Sequence, residues 1–170
     1  TVTLANANTI NAYTTGQVTL NSISDTSANL ATLDAIDNAE VTIGTAEVNV
    51  LDTVTLANAN TINAYTTGQV TLTSISDTFA NITSIDAINT SEVTMANATV
   101  NVTDQVTKTQ ADAINSYTTG QVTLTSIADT LNNLSSINSL PDSEVMMQMA
   151  SLTVTDLSLI HISEPTRPLY

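Results

Sequence analysis

Residues Thr1 to Leu20 recur letter for letter as Thr53 to Leu72, and this constrains the fold more than any other feature of the sequence. A chain that repeats at a fixed spacing stacks equivalent units, and neighbours share a core that no unit could bury alone. The 52-residue offset divides the chain into Thr1–Asp52, Thr53–Asp104 and Gln105–Asp156, each closing on an aspartate. The third copy has diverged most. It still keeps Tyr117-Thr118-Thr119-Gly120-Gln121-Val122-Thr123-Leu124 where the first has Tyr13-Thr14-Thr15-Gly16-Gln17-Val18-Thr19-Leu20. Copies this alike indicate recent duplication.

Each copy contains two similar halves. The aspartates at 25, 52, 77, 104, 129 and 156 are separated by alternating gaps of 27 and 25 residues. A half-unit of about 26 residues is the length of one solenoid coil that pairs a strand with a helix. In the first half, Val70-Thr71-Leu72-Thr73 alternates apolar and polar residues and predicts a short, half-buried strand. A turn is expected at Ile75-Ser76-Asp77-Thr78, then a short helix over Phe79 to Ile88. In that stretch Ile82, Ile85 and Ile88 recur every third residue, as do Leu30, Leu33 and Ile36, and Leu134, Ile137 and Leu140.

The second half repeats this logic. Val100-Asn101-Val102 reads as a strand, Asp104 as a turn, and the following stretch as a helix ending at Tyr117 with Ala111, Ile114 and Tyr117 on one face. Gly16, Gly68 and Gly120 follow the Tyr-Thr-Thr triplets, where a left-handed residue is expected to stop the helix. Val41-Thr42-Ile43, Val93-Thr94-Met95 and Val145-Met146-Met147 are candidates for an additional short strand. The expected fold is an α/β repeat solenoid with a parallel sheet and a row of short helices. The alternative is an all-β right-handed parallel β-helix, favoured by abundant Thr and Val and by weak helix propensity in the Ala-Asn-Ala-Asn stretches.

Composition narrows the functional classes. The chain carries 16 acids against 2 bases, a net charge of −14, which repels phosphate backbones and anionic lipid heads and argues against nucleic-acid partners. The apolar runs are far shorter than the roughly 20 residues of a membrane-spanning helix, so no membrane insertion is expected. The chain has no cysteine, which excludes disulfides, thiolate zinc sites and thiol nucleophiles. Beginning at Thr1 with no signal-like segment, it reads as a piece of something longer.

Residues 157–170 do not continue the pattern. They hold the single histidine, His161, together with Arg167 and two of the three prolines. The run Leu157-Ser158-Leu159-Ile160-His161-Ile162-Ser163-Glu164-Pro165-Thr166-Arg167 resembles the conceptual translation of a sequencing adapter, and is expected to be a non-native, disordered tail.

Four constellations are candidates for chemistry. The aspartates Asp25, Asp52, Asp77, Asp104, Asp129 and Asp156 would line one sheet edge, where a ladder of carboxylates has the donor chemistry of a calcium site. The competing reading is helix capping, since Asp followed by Thr ahead of a helix accepts a backbone N–H at the positive end of the dipole. Outward threonines at 71 and 73, 123 and 125, and 153 and 155 form Thr-x-Thr pairs of the kind that can face ice or sugars. β-Propensity on a solvated face explains them with no ligand at all. Asn29, Asn81 and Asn133, and likewise Asn11, Asn63 and Asn115, share repeat positions and are expected to form amide ladders between coils. Asn81-Ile82-Thr83 and Asn97-Ala98-Thr99 match the glycosylation acceptor pattern, which this composition generates by chance. Finally, Asp34 and Asp37 lie three apart as a carboxylate pair would, but the equivalent pairs are Asp86 and Asn89, then Asn138 and Pro141.

Apart from the tail the chain has no His, no Cys and one base, Lys108, so triads and histidine-based zinc sites have no residues to draw on. No enzymatic activity and no obligatory cofactor are expected.

The stretches Ile75-Ser76-Asp77-Thr78-Phe79-Ala80-Asn81-Ile82 and Asn63-Ala64-Tyr65-Thr66-Thr67-Gly68-Gln69-Val70, with their counterparts in the other copies, resemble repeats of very large secreted bacterial proteins, including cyanobacterial ones. Such proteins are similar to hemolysin-type and adhesin-like surface proteins in being long, acidic and cysteine-free. The resemblance implies an extracellular or cell-surface setting and a structural or interaction segment, a stalk, spacer or adhesive surface. Its partners would be flanking repeats of the same chain, and surface glycans or other cells. A calcium-, glycan- or ice-binding repeat module is the alternative.

Overall fold

The computed structural model describes residues 1–156, so the adapter-like tail lies outside the described residues. The fold is mixed α/β: a parallel sheet, backed by six short helices. The strands are β1 (Val18–Thr19), β2 (Ser22–Asp25), β3 (Val41–Thr42), β4 (Glu47–Val54), β5 (Val70–Asp77), β6 (Val93–Thr94), β7 (Thr99–Val106), β8 (Val122–Asp129), β9 (Val145–Met146) and β10 (Ser151–Val154). The helices are α1 (Leu4–Asn11), α2 (Ser27–Asp34), α3 (Leu56–Asn63), α4 (Phe79–Asp86), α5 (Lys108–Tyr117) and α6 (Leu131–Asn138). These helices set the all-β alternative aside.

The spatial order of the main sheet, β2-β4-β5-β7-β8-β10, follows the chain, and every pairing is parallel. α1 precedes the first strand, α2 to α6 lie between consecutive main strands, and neighbouring helices pack on one another as a second layer. The extra extended segments do pair as short strands: β3 with β1, β6 with β5 and β9 with β8.

Inward residues form apolar rows in register. One row runs Val2, Ile23, Val48, Val70, Val93, and the next runs Val54, Ile75, Val100, Val122, Val145. The second row is the first displaced by 52 residues. Each long strand belongs to two rows at once, as β5 does through Val70 and Ile75, so consecutive rows are stitched together. Complete burial of one such Val or Ile contributes about 1.5–3 kcal/mol.

The strands are longer than alternation alone predicts. Ile75-Ser76-Asp77 is the second half of β5, not a turn, and Asp104 sits inside β7. In β5 and β8 the alternation breaks after Leu72 and Leu124, where the register shifts, whereas β4 and β7 alternate throughout but place Asp52 and Asp104 among the inward positions. There Leu51 and Asp52 face the single residue Thr73, and β4 alternates regularly through the bulge, with Asp52 in phase with the inward Val50 and Val54. Thr73 Oγ1 closes the irregularity by donating to the Val50 carbonyl at 2.6 Å.

Most of these helices span only 8 residues, too short to persist on propensity. They are held by caps and by one buried face. Ile82 and Ile85 of α4 are buried with Ile88 packed half-exposed beside them, and the same holds for Leu30, Leu33 and Ile36. All six N-caps are threonines in extended conformation: Thr3, Thr26, Thr55, Thr78, Thr107 and Thr130. Each accepts the N–H three residues on, a contact of about 1 kcal/mol.

The glycines have a different role from the one expected. None has positive φ, so Gly16, Gly68 and Gly120 are not left-handed helix stops. At Gly68 an added Cβ would lie 2.2 Å from the Ala46 carbonyl oxygen, and at Gly120 the same distance from that of Ala98. The requirement is close approach between segments some twenty residues apart. Gly16 has no such neighbour, and its nearest contact would be Thr14 Oγ1 at 3.4 Å. Gly68→Ala is therefore expected to cost at least about 2 kcal/mol in urea unfolding, while Gly16→Ala stays within about 0.5 kcal/mol of the parent. Equal effects at the two positions would refute the close-approach explanation.

Candidate functional site

Strand alternation places each recurrent aspartate on the helix side of the sheet. Asp25, Asp77 and Asp129 follow the buried Ile23, Ile75 and Ile127 by two residues at the ends of β2, β5 and β8. From there each carboxylate reaches back to the helix one strand–helix unit earlier. Asp25 Oδ2 accepts from the Leu4 N–H at 2.8 Å, Asp77 Oδ2 from Leu56 at 2.9 Å and Asp129 Oδ2 from Lys108 at 2.8 Å. These donors are the first residues of α1, α3 and α5.

The other three aspartates do the same for the alternate helices. Asp52 Oδ1 accepts from the Ser27 N–H at 2.7 Å and its Oδ2 from the Ser27 hydroxyl at 2.6 Å. Asp104 accepts from the Phe79 N–H at 2.8 Å and Asp156 from that of Leu131 at 2.9 Å. All six helices therefore carry a Thr cap from their own segment and a carboxylate from the next. The capping reading holds in altered form, because the N-cap is the Thr and the Asp serves the preceding helix.

Asp25, Asp77 and Asp129 also bind locally. The Oδ1 of Asp77 accepts the Thr78 N–H at 2.8 Å and the Asn81 side-chain amide at 2.7 Å, and Asp25 and Asp129 repeat the pattern with Thr26 and Asn29, and Thr130 and Asn133. Burial alone would raise the Asp25 and Asp77 carboxyls. It is outweighed by the hydrogen bonds, from the preceding helix N–H, the Asn amide and the Thr N–H, and the net shift is downward. Asp129 is lowered as well, first by the Lys108 N–H, then by Asn133 and Thr130.

The amide ladders fall elsewhere than expected. Asn29, Asn81 and Asn133 bind the aspartate four residues earlier and do not bridge neighbouring units. Asn11 reaches Glu40 at 3.4 Å. The amides that cross between strands are Asn49, donating to Ser24 Oγ at 3.1 Å, and Asn101, donating to Ser76 Oγ at 2.9 Å. A lone Asn inside an alternating Val-Asn-Val stretch carried the signal.

The Thr-x-Thr pairs do not build a continuous hydroxyl array. Thr71 lies between Asn49 and Thr94, and Thr123 between Asn101 and Met146. Thr73 and Thr125 direct their hydroxyls to the Val50 and Val102 carbonyls. Of the acceptor triplets, Asn81 is half-buried and held by Asp77. Asp34 ends α2, and Asp37 Oδ1 accepts the Ala39 N–H at 2.9 Å, a loop contact. Among the described residues no three His, Cys, Asp or Glu side chains are grouped to hold a metal ion, and no helix is long and apolar enough to cross a membrane.

The Thr-Thr-Gly-Gln motif is a contact that sequence reasoning took only for a helix end. Thr66 Oγ1 donates to the Ala46 carbonyl at 2.6 Å and accepts from the Gly68 N–H at 2.9 Å, and the Thr67 N–H donates to Gly44 at 2.9 Å. On the other side Gln69 Nε2 donates forward to the Thr90 carbonyl at 2.6 Å. Thr118, Thr119 and Gln121 repeat these contacts with Ala98, Ala96 and Asp142. The motif thus grips both of its neighbours.

Carboxyls held below their unfolded pKa of about 3.9 contribute stability that is complete above that value and is lost as pH falls through the folded value. The melting temperature is accordingly expected to fall below about pH 4. Asp77→Asn should destabilise the protein by about 1–2 kcal/mol at pH 7 and flatten part of that acid limb. An unchanged limb in the variant would show that Asp77 has no special part in it.

No family model, no curated protein and no solved structure matches the chain.

Proposed function

We propose that this chain is a solenoid segment of about 26 residues per coil, organised as three 52-residue repeats, and that it acts as a stalk, spacer or adhesive surface in a large extracellular bacterial protein. The observation that carries the reading is the carboxylate relay. Every helix N-terminus is closed by an aspartate from the next coil, so each coil is finished only by its neighbour. That is the economy of a stack, in which stability is a sum of coil and interface contributions. The side chains most repeated along the chain, the six aspartates, are engaged in joining neighbouring strand–helix segments.

Stacking predicts tolerance to a change of length. Excision of residues 53–104, which joins Asp52 to Gln105, is expected to give a folded protein with the same circular dichroism per residue and a lower melting temperature. An unfolded product would overturn the solenoid reading. A structural role further predicts that calcium raises the melting temperature only as far as ionic strength does, because ligand binding to the folded state gives a saturable shift and charge screening does not. A saturable calcium shift would favour a calcium-binding module instead.

A further inference from the structure

We propose that Asn63, Thr67 and Glu92 form a binding site for a neutral polysaccharide of β-1,4-linked hexoses, and that the site recurs once in each 52-residue repeat. This rests on the adhesive-surface reading and names its ligand. The three residues line one shallow pocket of about 230 Å³, together with the buried Thr66. Its opening does not depend on either end of the chain, because the middle copy has a repeat on each side. In the first copy Asn11, Thr14, Thr15 and Glu40 line the equivalent pocket. One backbone contact holds the arrangement in all three copies: the N–H groups of Val18, Val70 and Val122 donate to the carbonyls of Glu40, Glu92 and Glu144, each at 2.7 Å.

These side chains are retained where the fold does not ask for them. The Glu contact uses a main-chain carbonyl, which any residue offers. Yet across the loops 36–40, 88–92 and 140–144 Glu is the one residue that all three copies share. Every position of α3 that is not buried differs at its equivalent in α5, as Asn60 and Thr61 do from Asp112 and Ala113, except that Asn63 is matched by Asn115. Neither Asn63 nor Glu92 has a side-chain hydrogen-bond partner among the described residues. Asn11 Nδ2 reaches Glu40 at 3.4 Å, so the two side chains address one space.

The set is rich in acceptors: the Glu92 carboxylate, the Asn63 side-chain carbonyl and Thr67 Oγ1, whose own hydrogen goes to the Gly44 carbonyl at 3.1 Å. The Asn63 amide adds donors. Such groups suit the hydroxyls of a sugar. No basic side chain lines the pocket, and a net charge of −14 repels phosphates and acidic sugars, which leaves a neutral chain. Equivalent pockets in successive copies lie two main strands apart, as β5 and β8 do through β7, an interval of about 9.6 Å. An extended β-1,4-linked hexose chain presents the same face at every second ring, at close to that interval. Each pocket offers few groups, so one chain that bridges several of them binds by multivalency.

NMR titrations of the full chain with cellohexaose, cellobiose and maltohexaose test this. Cellohexaose is expected to shift the Asn63 side-chain amide saturably and to bind at least about tenfold more tightly than cellobiose, which is too short to bridge two pockets. Maltohexaose, whose α-1,4 links coil the chain out of step with the pockets, should bind no better than cellobiose. The combined variant Glu40→Ala, Glu92→Ala and Glu144→Ala should stay folded and bind cellohexaose at least about tenfold more weakly. Asn63→Ala alone, which splits the array at its middle pocket, should weaken it in the same direction. Absence of saturable cellohexaose binding, equal binding of maltohexaose, or wild-type affinity in either variant overturns the proposal. If cellohexaose does not bind while the chain without residues 53–104 folds, the glycan site falls and the solenoid reading stands.

Discussion

The structure depends on a carboxylate placed at the N-terminus of a helix that belongs to the preceding segment. A two-turn helix leaves its first N–H groups without partners and has too few residues to offset the cost of nucleation. Here one of those donors is satisfied by the helix's own threonine and another by an aspartate 21 or 25 residues downstream. Charge on the acceptor and the helix dipole strengthen that second bond. Sheet and helix row both serve to deliver it: unbroken alternation along β4 aims the Asp52 carboxylate to the side of Val50 and Val54.

This gives six of the chain's 16 acids a partner that is not a basic side chain. The one ion pair among the described residues, Lys108 with Asp112, is an exposed i,i+4 contact worth about 0.5 kcal/mol. Six threonine caps at about 1 kcal/mol each outweigh it several-fold. At those six aspartates the negative charge meets the positive end of a helix dipole in place of lysine or arginine.

What was legible in the sequence was local. The three-residue spacing of Ile82, Ile85 and Ile88 identified a helix face, and the Val-Thr pairs identified the additional strands, because periodicity depends on neighbours in sequence. The positions of the aspartates were equally plain, but their partners were not, since nothing near Asp77 points to the Leu56 N–H. Gly68 was misread for a related reason. Glycine is selected both for positive φ and for the absence of Cβ, and only the approach of Ala46 tells these apart. The second half of β5 and β8 is hidden because the alternation breaks after Leu72 and Leu124, and that of β4 and β7 because an aspartate takes an inward position.

The letter-for-letter identity of Thr1–Leu20 and Thr53–Leu72 has a consequence for folding itself. The Leu4 and Leu56 helix termini are indistinguishable to Asp25 and Asp77, so a pairing displaced by one whole repeat satisfies the same hydrogen bonds and apolar rows. Native and displaced arrangements differ in a few side chains, such as Ser27 against Phe79, and in which loop is closed, and loop entropy grows slowly with length. The landscape therefore holds a degenerate trap that local sequence cannot remove. Synthesis from the N-terminus favours the nearer pairing, because the nearer aspartate emerges first.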